Sequence, residues 1–252
     1  MDTPTVREDL PLALALRHRS LAVGDPLEFA VPLGPPAAGP ATWERAPLRR
    51  VVEGAGFTAI RIAETTVPIG AGLRVRARRA RTLPDVVGQG MTLLMVGLNP
   101  SEYAADVGVG FGRPGNRFWR AARAAGIASV DRDPVAALRD HGTGMTDLVK
   151  RATRTAAEVT PEEFRAGAVR LAALAAWLAP AVVCVAGVTG WRAAVDRKAV
   201  TGPQPEPLGG RPVYVMPNPS GLNAHDTVAS LADHLRAALA LGRNGGSDAV
   251  RR

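Results

Sequence analysis

Two loops contain most of the side chains that could carry chemistry, and each follows an apolar run. The first loop, VGLNPSEYAADVGVGFGRPGNRFW (96–119), places Asn99 and Asp106 among glycines, prolines and aromatic residues. The second, MPNPSGLNAH (216–225), contains Asn218 and His225. Amide, carboxylate and imidazole groups can position a water molecule or a polar ligand, although Asn-Pro steps also form ordinary turns.

The first loop also contains a nominal dinucleotide-binding pattern. Gly110, Gly112 and Gly115 match G-x-G-x-x-G and precede a predicted helix. In that fingerprint the first glycine ends a strand, so that the pyrophosphate lies at the helix N-terminus. Here the preceding strand ends near Gly97, about ten or more residues before the first glycine of the pattern, and Pro114 interrupts the turn. We therefore reject a dinucleotide site.

The two loops must be positioned by regular elements, and the sequence from residue 91 predicts these clearly. Strands are predicted at 91–97, 145–150, 181–187 and 211–217. Helices are predicted at 116–126, 133–142, 160–180, 188–198 and 226–242, and the third of these begins with a Thr160/Glu163 capping box. The alternation predicts an α/β fold, a three-layer αβα sandwich with a central, mainly parallel sheet. Ligands bind at the carboxyl ends of such strands, so we expect the two loops to flank one crevice.

The chain divides into three sections. Residues 1–82 are expected to form an N-terminal extension of unknown function, in which VPLGPPAAGPA (31–41) is a loop or disordered linker before a small αββ piece. Residues 83–242 form the predicted α/β domain, and residues 243–252 are predicted to be a disordered tail.

Composition limits the classes of partner and cofactor. A net charge of +8 favours a polyanionic partner such as nucleic acid. A single cysteine excludes a four-cysteine metal or iron–sulfur site, and the four histidines show no metal-ligand spacing, so we expect no metal and no cofactor. No apolar run reaches the roughly 20 residues of a membrane span, and no signal peptide is recognisable. We expect a cytoplasmic monomer that does not bind membranes.

Five motifs in this order resemble one enzyme family. GLNPS (97–101), the GxGFGRPGNRFW segment (108–119), TDLVKR (146–151), EVTPEEFRAGAVRL (158–171) and NPSGLN (218–223) together resemble the mismatch-specific uracil/thymine-DNA glycosylases of the uracil-DNA glycosylase superfamily. The resemblance extends from about residue 83 to residue 241.

The resemblance implies a substrate and a reaction. The substrate would be double-stranded DNA containing a mismatched or damaged pyrimidine, which is flipped out and excised by hydrolysis. Because Lys150 and Lys198 are the only lysines and lie outside both loops, a lyase step is not expected. The alternative is a lesion- or mismatch-binding protein with the same fold and little catalysis. Both hypotheses remain open on the sequence alone.

The resemblance assigns roles in the first loop. Asn99 would orient the attacking water, and Phe111 would stack on the flipped base unless it is a core residue. Backbone N–H groups near Leu98 and Phe111 would bind the pyrimidine carbonyl, with Gly110 giving access and Ala104 leaving a roomy pocket. Asp106 would either assist water activation or cap the turn.

The resemblance also assigns DNA contacts. Leu222 would be the wedge that fills the gap left by the flipped nucleotide, unless it is an ordinary loop residue. The other residues expected at the intercalation loop or opposite strand are Asn218, Pro219, Ser220, Gly221, Asn223 and His225. Lys150 and Arg151 are expected to contact phosphate.

Overall fold

The N-terminal part of the chain forms a compact αβαββ unit. The computed structural model describes residues 6–221 and 225–249. The elements of this unit are α1 (Leu10–Ser20), β1 (Pro26–Pro32), α2 (Arg45–Gly54), β2 (Phe57–Val67) and β3 (Gly70–Arg79). The strands pair antiparallel in the order β1-β3-β2. We call this the N-terminal unit.

The N-terminal unit has its own apolar core, which makes it more extensive than predicted. Alternate residues of β1 point inward, so that Leu27, Phe29 and Val31 are buried. They pack with buried residues of both helices, including Leu14 and Leu48. The αββ prediction missed α1 and β1.

The predicted linker at residues 31–41 is only partly irregular, which corrects the expectation of loop or disorder. Its first residues belong to β1, and Pro36–Ala38 form a 3₁₀ turn. The Trp43 N–H donates to the Pro32 carbonyl at 2.8 Å, and Trp43 is buried in the core. A backbone hydrogen bond therefore joins the two ends of the proline-rich segment.

The remainder of the chain forms the predicted αβα sandwich, which we call the main unit. Its elements are β4 (Leu93–Gly97), α3 (Glu102–Val107), α4 (Phe118–Ala125), α5 (Pro134–His141), β5 (Thr143–Asp147), α6 (Pro161–Leu178), β6 (Val183–Ala186), α7 (Val188–Ala194), β7 (Gly202–Pro203), β8 (Val213–Met216) and α8 (Val228–Ala249). The sheet order is β5-β4-β6-β8-β7. The first four strands are parallel and β7 is an antiparallel edge, so the predicted fold class is confirmed.

Burial on both faces of the sheet explains why its strands are apolar without alternation. Leu94 and Val96 of β4 pack in the core that contains α6, whereas Leu93 and Met95 pack in the core that contains α4 and α8. Both sheet faces are therefore covered by helices, and the polar loops are left at the strand ends.

Local signals placed most helices correctly. The Thr160 hydroxyl accepts from the Glu163 N–H at 3.2 Å, and the Glu163 carboxylate accepts from the Thr160 N–H at 2.9 Å, as the capping box predicts. The last helix is longer than predicted. It continues to Ala249, so residues 243–249 are helical rather than a disordered tail.

The two units meet along α6 and the segment that follows β3. Trp177 of α6 packs against both the N-terminal core and one core of the main unit. Asp85 is buried at this junction, where its N–H donates to the Gly54 carbonyl and its carboxylate lies 2.7 Å from both Lys150 Nζ and Arg170 Nη1. Within the described ranges, no helix is long and apolar enough to cross a membrane.

Candidate functional site

A cavity of about 250 Å³ lies at the carboxyl ends of β4, β5 and β6. Predicted site residues from both loops line it: Leu98, Asn99, Ala104 and Phe111 from the first, and Asn218 and Ser220 from the second. Ala186, the last residue of β6, lies in the wall. The two loops therefore flank one crevice, as the strand-end rule predicts.

The Asn99 side chain is held in one orientation by its amide nitrogen. Nδ2 lies 2.7 Å from Thr153 Oγ1, 3.0 Å from the Arg151 carbonyl and 3.1 Å from the Pro100 carbonyl. Because the Thr153 hydroxyl donates to the Thr155 carbonyl at 2.8 Å, its oxygen presents a lone pair to Asn99. The Asn99 Oδ1 atom accepts no hydrogen bond from the described residues and is available to a water molecule.

Phe111 forms an aromatic surface in the cavity wall. Its ring stacks on the fully buried Phe118, with centroids 4.3 Å apart and planes 28° from parallel. Its φ of 56° lies in the left-handed region, which costs a non-glycine residue on the order of 1–3 kcal/mol. The backbone N–H groups of Leu98 and Phe111 have no hydrogen-bond partner within 6–221 or 225–249. A planar ligand stacked on this ring would find unpaired donors nearby.

The glycines of the first loop have different local roles. A Cβ on Gly112 would lie 2.8 Å from the Val109 carbonyl oxygen, so this position requires glycine. Gly108 ends α3 with a φ of 71°. Gly110 has room for a side chain and instead contributes its carbonyl, which accepts from Trp119 Nε1 at 2.9 Å. Gly110 is not in the wall of this cavity.

Arg117 holds the second loop against the first. Its backbone N–H donates to the Pro219 carbonyl at 3.0 Å, its Nη2 donates to the Ser220 carbonyl at 2.8 Å, and its Nη1 donates to the Asp226 carbonyl. Gly221 lies close to Gly115, so that a Cβ atom on residue 221 would be only 3.2 Å from the Gly115 carbonyl oxygen. Both stems of the loop are thereby attached to the start of α4.

Several residues of the second loop were predicted to contact DNA. Leu222, the predicted wedge, and Asn223 lie outside the described residues. Asn218, Gly221 and His225 are exposed, and Asn218 also lines the cavity, where its Oδ1 atom accepts from the Ser220 N–H at 3.0 Å.

Asp147, the last residue of β5, also lines the cavity and was not predicted as a site residue. Burial, helped by the charge of Asp85, raises the pKa of the Asp147 carboxyl to about 6 against the opposing charges of Lys150 and Arg170. A Cβ on Gly97 would lie 2.4 Å from Asp147 Oδ1, so glycine at the end of β4 makes room for the carboxylate. The strand-end rule, applied to β5, would have found this residue.

Comparison with known proteins gives one family match and a structural neighbour. Residues 84–241 match the family model described as the uracil DNA glycosylase superfamily. The chain belongs to the uracil DNA glycosylase superfamily. A solution NMR structure of a candidate uracil DNA glycosylase from Methanosarcina acetivorans is 20% identical, covers 66% of this chain and 98% of that chain, and superposes with a TM-score of 0.46.

The structure of this uracil DNA glycosylase homologue places Asp106 away from the cavity. Asp106 is exposed on α3 and forms a bidentate ion pair with Arg81, with both N–O distances at 2.7 Å. Its hydrogen bonds with the Arg81 guanidinium lower the pKa of the carboxyl. Among the described residues, Asp147 is the one acidic side chain that lines the cavity together with Asn99.

The two cations expected at phosphate both form ion pairs with carboxylates of the protein. Lys150 is mostly buried and pairs with Asp85, and Arg151 forms a bidentate pair with Glu163 at 2.7 and 2.8 Å. The Arg151 carbonyl also holds Asn99. Among the described residues, no group of three or more His, Cys, Asp or Glu side chains could hold a metal ion.

Proposed function

We propose that the protein is a monofunctional DNA glycosylase that flips uracil out of G:U mismatches in double-stranded DNA and hydrolyses its N-glycosidic bond. Thymine and damaged cytosines are proposed as further substrates. The observation that supports this function most directly is the fixed Asn99 amide. Its free oxygen shares one cavity with the Phe111 ring and the Asp147 carboxylate.

The proposed chemistry uses groups already in place. The flipped uracil stacks on Phe111, and the N–H groups of Leu98 and Phe111 bond the pyrimidine carbonyl as negative charge grows on the leaving base. Asn99 Oδ1 accepts a hydrogen bond from the attacking water and aligns it. The water oxygen bonds to the anomeric carbon as the bond to uracil breaks, and Asp147 takes up the water proton.

The mismatch preference follows from the cost of flipping. Extruding a base costs a few kcal/mol, and least when that base is already poorly paired. An enzyme whose water is held by a neutral amide gains most from such pre-weakened pairs. Ala104 in the cavity wall leaves space beside the base, which supports entry of the larger pyrimidines.

A hydrolytic rather than a lyase reaction is proposed because no lysine amine is available in the cavity. Lys150 is ion-paired with Asp85, and Lys198 lies after α7, away from the cavity loops. The product would be an intact strand with an abasic site. Strand breaks that appear without alkali or heat would contradict this proposal.

Single-turnover assays test the proposal. Duplexes with U:G, U:A and T:G pairs and single-stranded uracil DNA are incubated with excess protein, and base release is followed. We expect fastest release from U:G and a loss of at least about 100-fold in Asn99→Ala, because the water loses its alignment. Asn244→Ala, at an exposed position on α8, is the matched control and should keep the wild-type rate.

The second candidate function is a lesion- or mismatch-binding protein. It is favoured by the side chains of Asn99 and Asn218 in the cavity wall, because both are neutral amides that bring no charge to the reaction. Tight binding to U:G duplexes with no base release by the wild-type protein would select this function and exclude the enzyme.

A further inference from the structure

A second cavity, of about 240 Å³, lies between the N-terminal unit and α6, on the other side of the Asp85 junction from the proposed active site. Its walls are apolar except for three arginines and Asp85. The apolar lining comes from Pro11, Trp43, Pro47, Val51, Val87, Ala173, Leu174 and Trp177. The proposed excision reaction makes no use of this cavity.

Arg7 is a buried cation in the wall of this cavity without a carboxylate partner among the described residues. It is only 8% exposed, yet its guanidinium forms no hydrogen bond or ion pair with any described residue. Its Cζ atom lies 4.4 Å from the ring centroid of Trp43 and 5.9 Å from that of Trp177. Contact with aromatic rings offsets part of the desolvation cost of a buried cation, but the buried Nε–H group of Arg7 has no hydrogen-bond partner among the described residues. Buried charges are ordinarily paired.

The remaining charges leave the cavity positive. Asp85, the one acid among the described residues of the wall, already accepts from Arg170, Lys150 and Thr146. Its charge is therefore matched within the junction and does not neutralise Arg7. Arg50 adds another cation at an exposed position of the wall, where a ligand could enter.

We propose that this cavity binds a small organic anion, a carboxylate carried on an apolar or aromatic body. The carboxylate would pair with Arg7, whose planar donor fork suits it, and Arg50 would add attraction at the entrance. The body would pack between Trp43, Trp177 and the aliphatic wall. The cavity is smaller than the roughly 300–1,000 Å³ of drug-sized sites, which excludes a nucleic acid strand and favours a compact ligand.

The four tryptophans allow a site-specific test in the full-length protein. Benzoate is titrated while the indole N–H signals are followed by NMR. The signals of Trp43 and Trp177 should shift and saturate, whereas those of Trp119 and Trp191, which lie elsewhere in the core, should not. Benzyl alcohol, which has a similar size but no charge, should bind at least about tenfold more weakly.

Matched variants assign the binding to the cavity cations. Arg7→Met keeps an unbranched chain but removes the guanidinium and should weaken benzoate binding at least about tenfold, whereas Arg19→Met, at an exposed arginine of α1, should not. If Arg7→Met fails to fold, Arg50→Gln at the exposed rim should weaken binding severalfold. Equal affinity for benzoate and benzyl alcohol, or unchanged affinity in the folded cavity variants, would overturn the proposal.

One further variant separates a free ligand from an acidic group of the chain itself. Asp2 lies outside the described residues and is close in sequence to Arg7. Asp2→Asn should leave benzoate affinity unchanged if the native occupant is a free anion. Tighter benzoate binding in Asp2→Asn would contradict a free ligand.

Discussion

Two side chains in the proposed active site are suited to handling water, and their surroundings give them different tasks. Asn99 is fixed through its nitrogen by Thr153 and two carbonyls, which leaves its oxygen as an aligned acceptor. Asp147 is buried and has a pKa of about 6 because of that burial. A carboxyl with this pKa can exchange a proton near neutral pH, where an ordinary aspartate stays ionised.

The activity should therefore titrate with Asp147. Since the ionised carboxylate accepts the proton, the single-turnover rate should rise tenfold per pH unit below about 6 and level off above it. Asp147→Asn should be slower and lose this dependence. The rates are measured on a U:G duplex between pH 5 and 8, with Asp106→Asn as the matched control. A variant profile that keeps the wild-type inflection would rule out Asp147 as the base.

The same pKa affects stability. Between about pH 4 and 6 the folded protein binds more protons at Asp147 than the unfolded chain, whose aspartate pKa is about 3.9, so stability falls as pH rises through this window. Above it, the ionised carboxylate costs about 3 kcal/mol. Asp147→Asn should raise the free energy of unfolding at pH 7 by up to that amount and have little effect at pH 4. Urea unfolding at both pH values measures the difference.

At the level of elements, local signals were predictable and distant partners were not. The capping box of α6 could be predicted from Thr160 and Glu163 because both groups lie within one turn. β1 was missed because it forms only by pairing with β3, where Pro26 faces Arg78. Asp106 was considered for water activation because it is near Asn99 in sequence, yet on α3 it pairs with Arg81.

The capping box can be tested by substitution. Thr160→Ala removes the hydroxyl that accepts from the Glu163 N–H, and we expect a loss of about 1 kcal/mol in the free energy of unfolding. Thr201→Ala, at an exposed position outside any helix, is the control and should change stability by less than about 0.5 kcal/mol. Equal effects of the two substitutions would show that the box contributes nothing.

At the scale of the molecule, Asp85 links the two units and both cavities. Its carboxylate pairs with Lys150 and Arg170, and Arg170 Nη2 also holds Thr146 and the Asp147 carbonyl at the end of β5. These attractions lower the pKa of Asp85 against the opposing effect of burial. No sequence pattern predicted this junction, because its residues are up to 85 positions apart in the chain.

Breaking the junction should destabilise the whole chain. Asp85→Asn leaves two buried cations without their counter-charge, so we expect a loss of about 3–5 kcal/mol in unfolding free energy. Asp233→Asn breaks the exposed pair with Arg236 and should cost less than about 1 kcal/mol. Denaturant unfolding measures both, and a cost for Asp85→Asn no larger than that of the surface control would contradict a structural role for the junction.

The most direct measurement is single-turnover release of uracil from a U:G duplex by the wild-type protein and Asn99→Ala, with binding to the same duplex measured in parallel. We expect base release by the wild type, a rate at least about 100-fold lower in Asn99→Ala, and similar DNA binding by both. Binding without base release by the wild type, or equal rates for the two proteins, would contradict the assignment of a DNA glycosylase that works through Asn99.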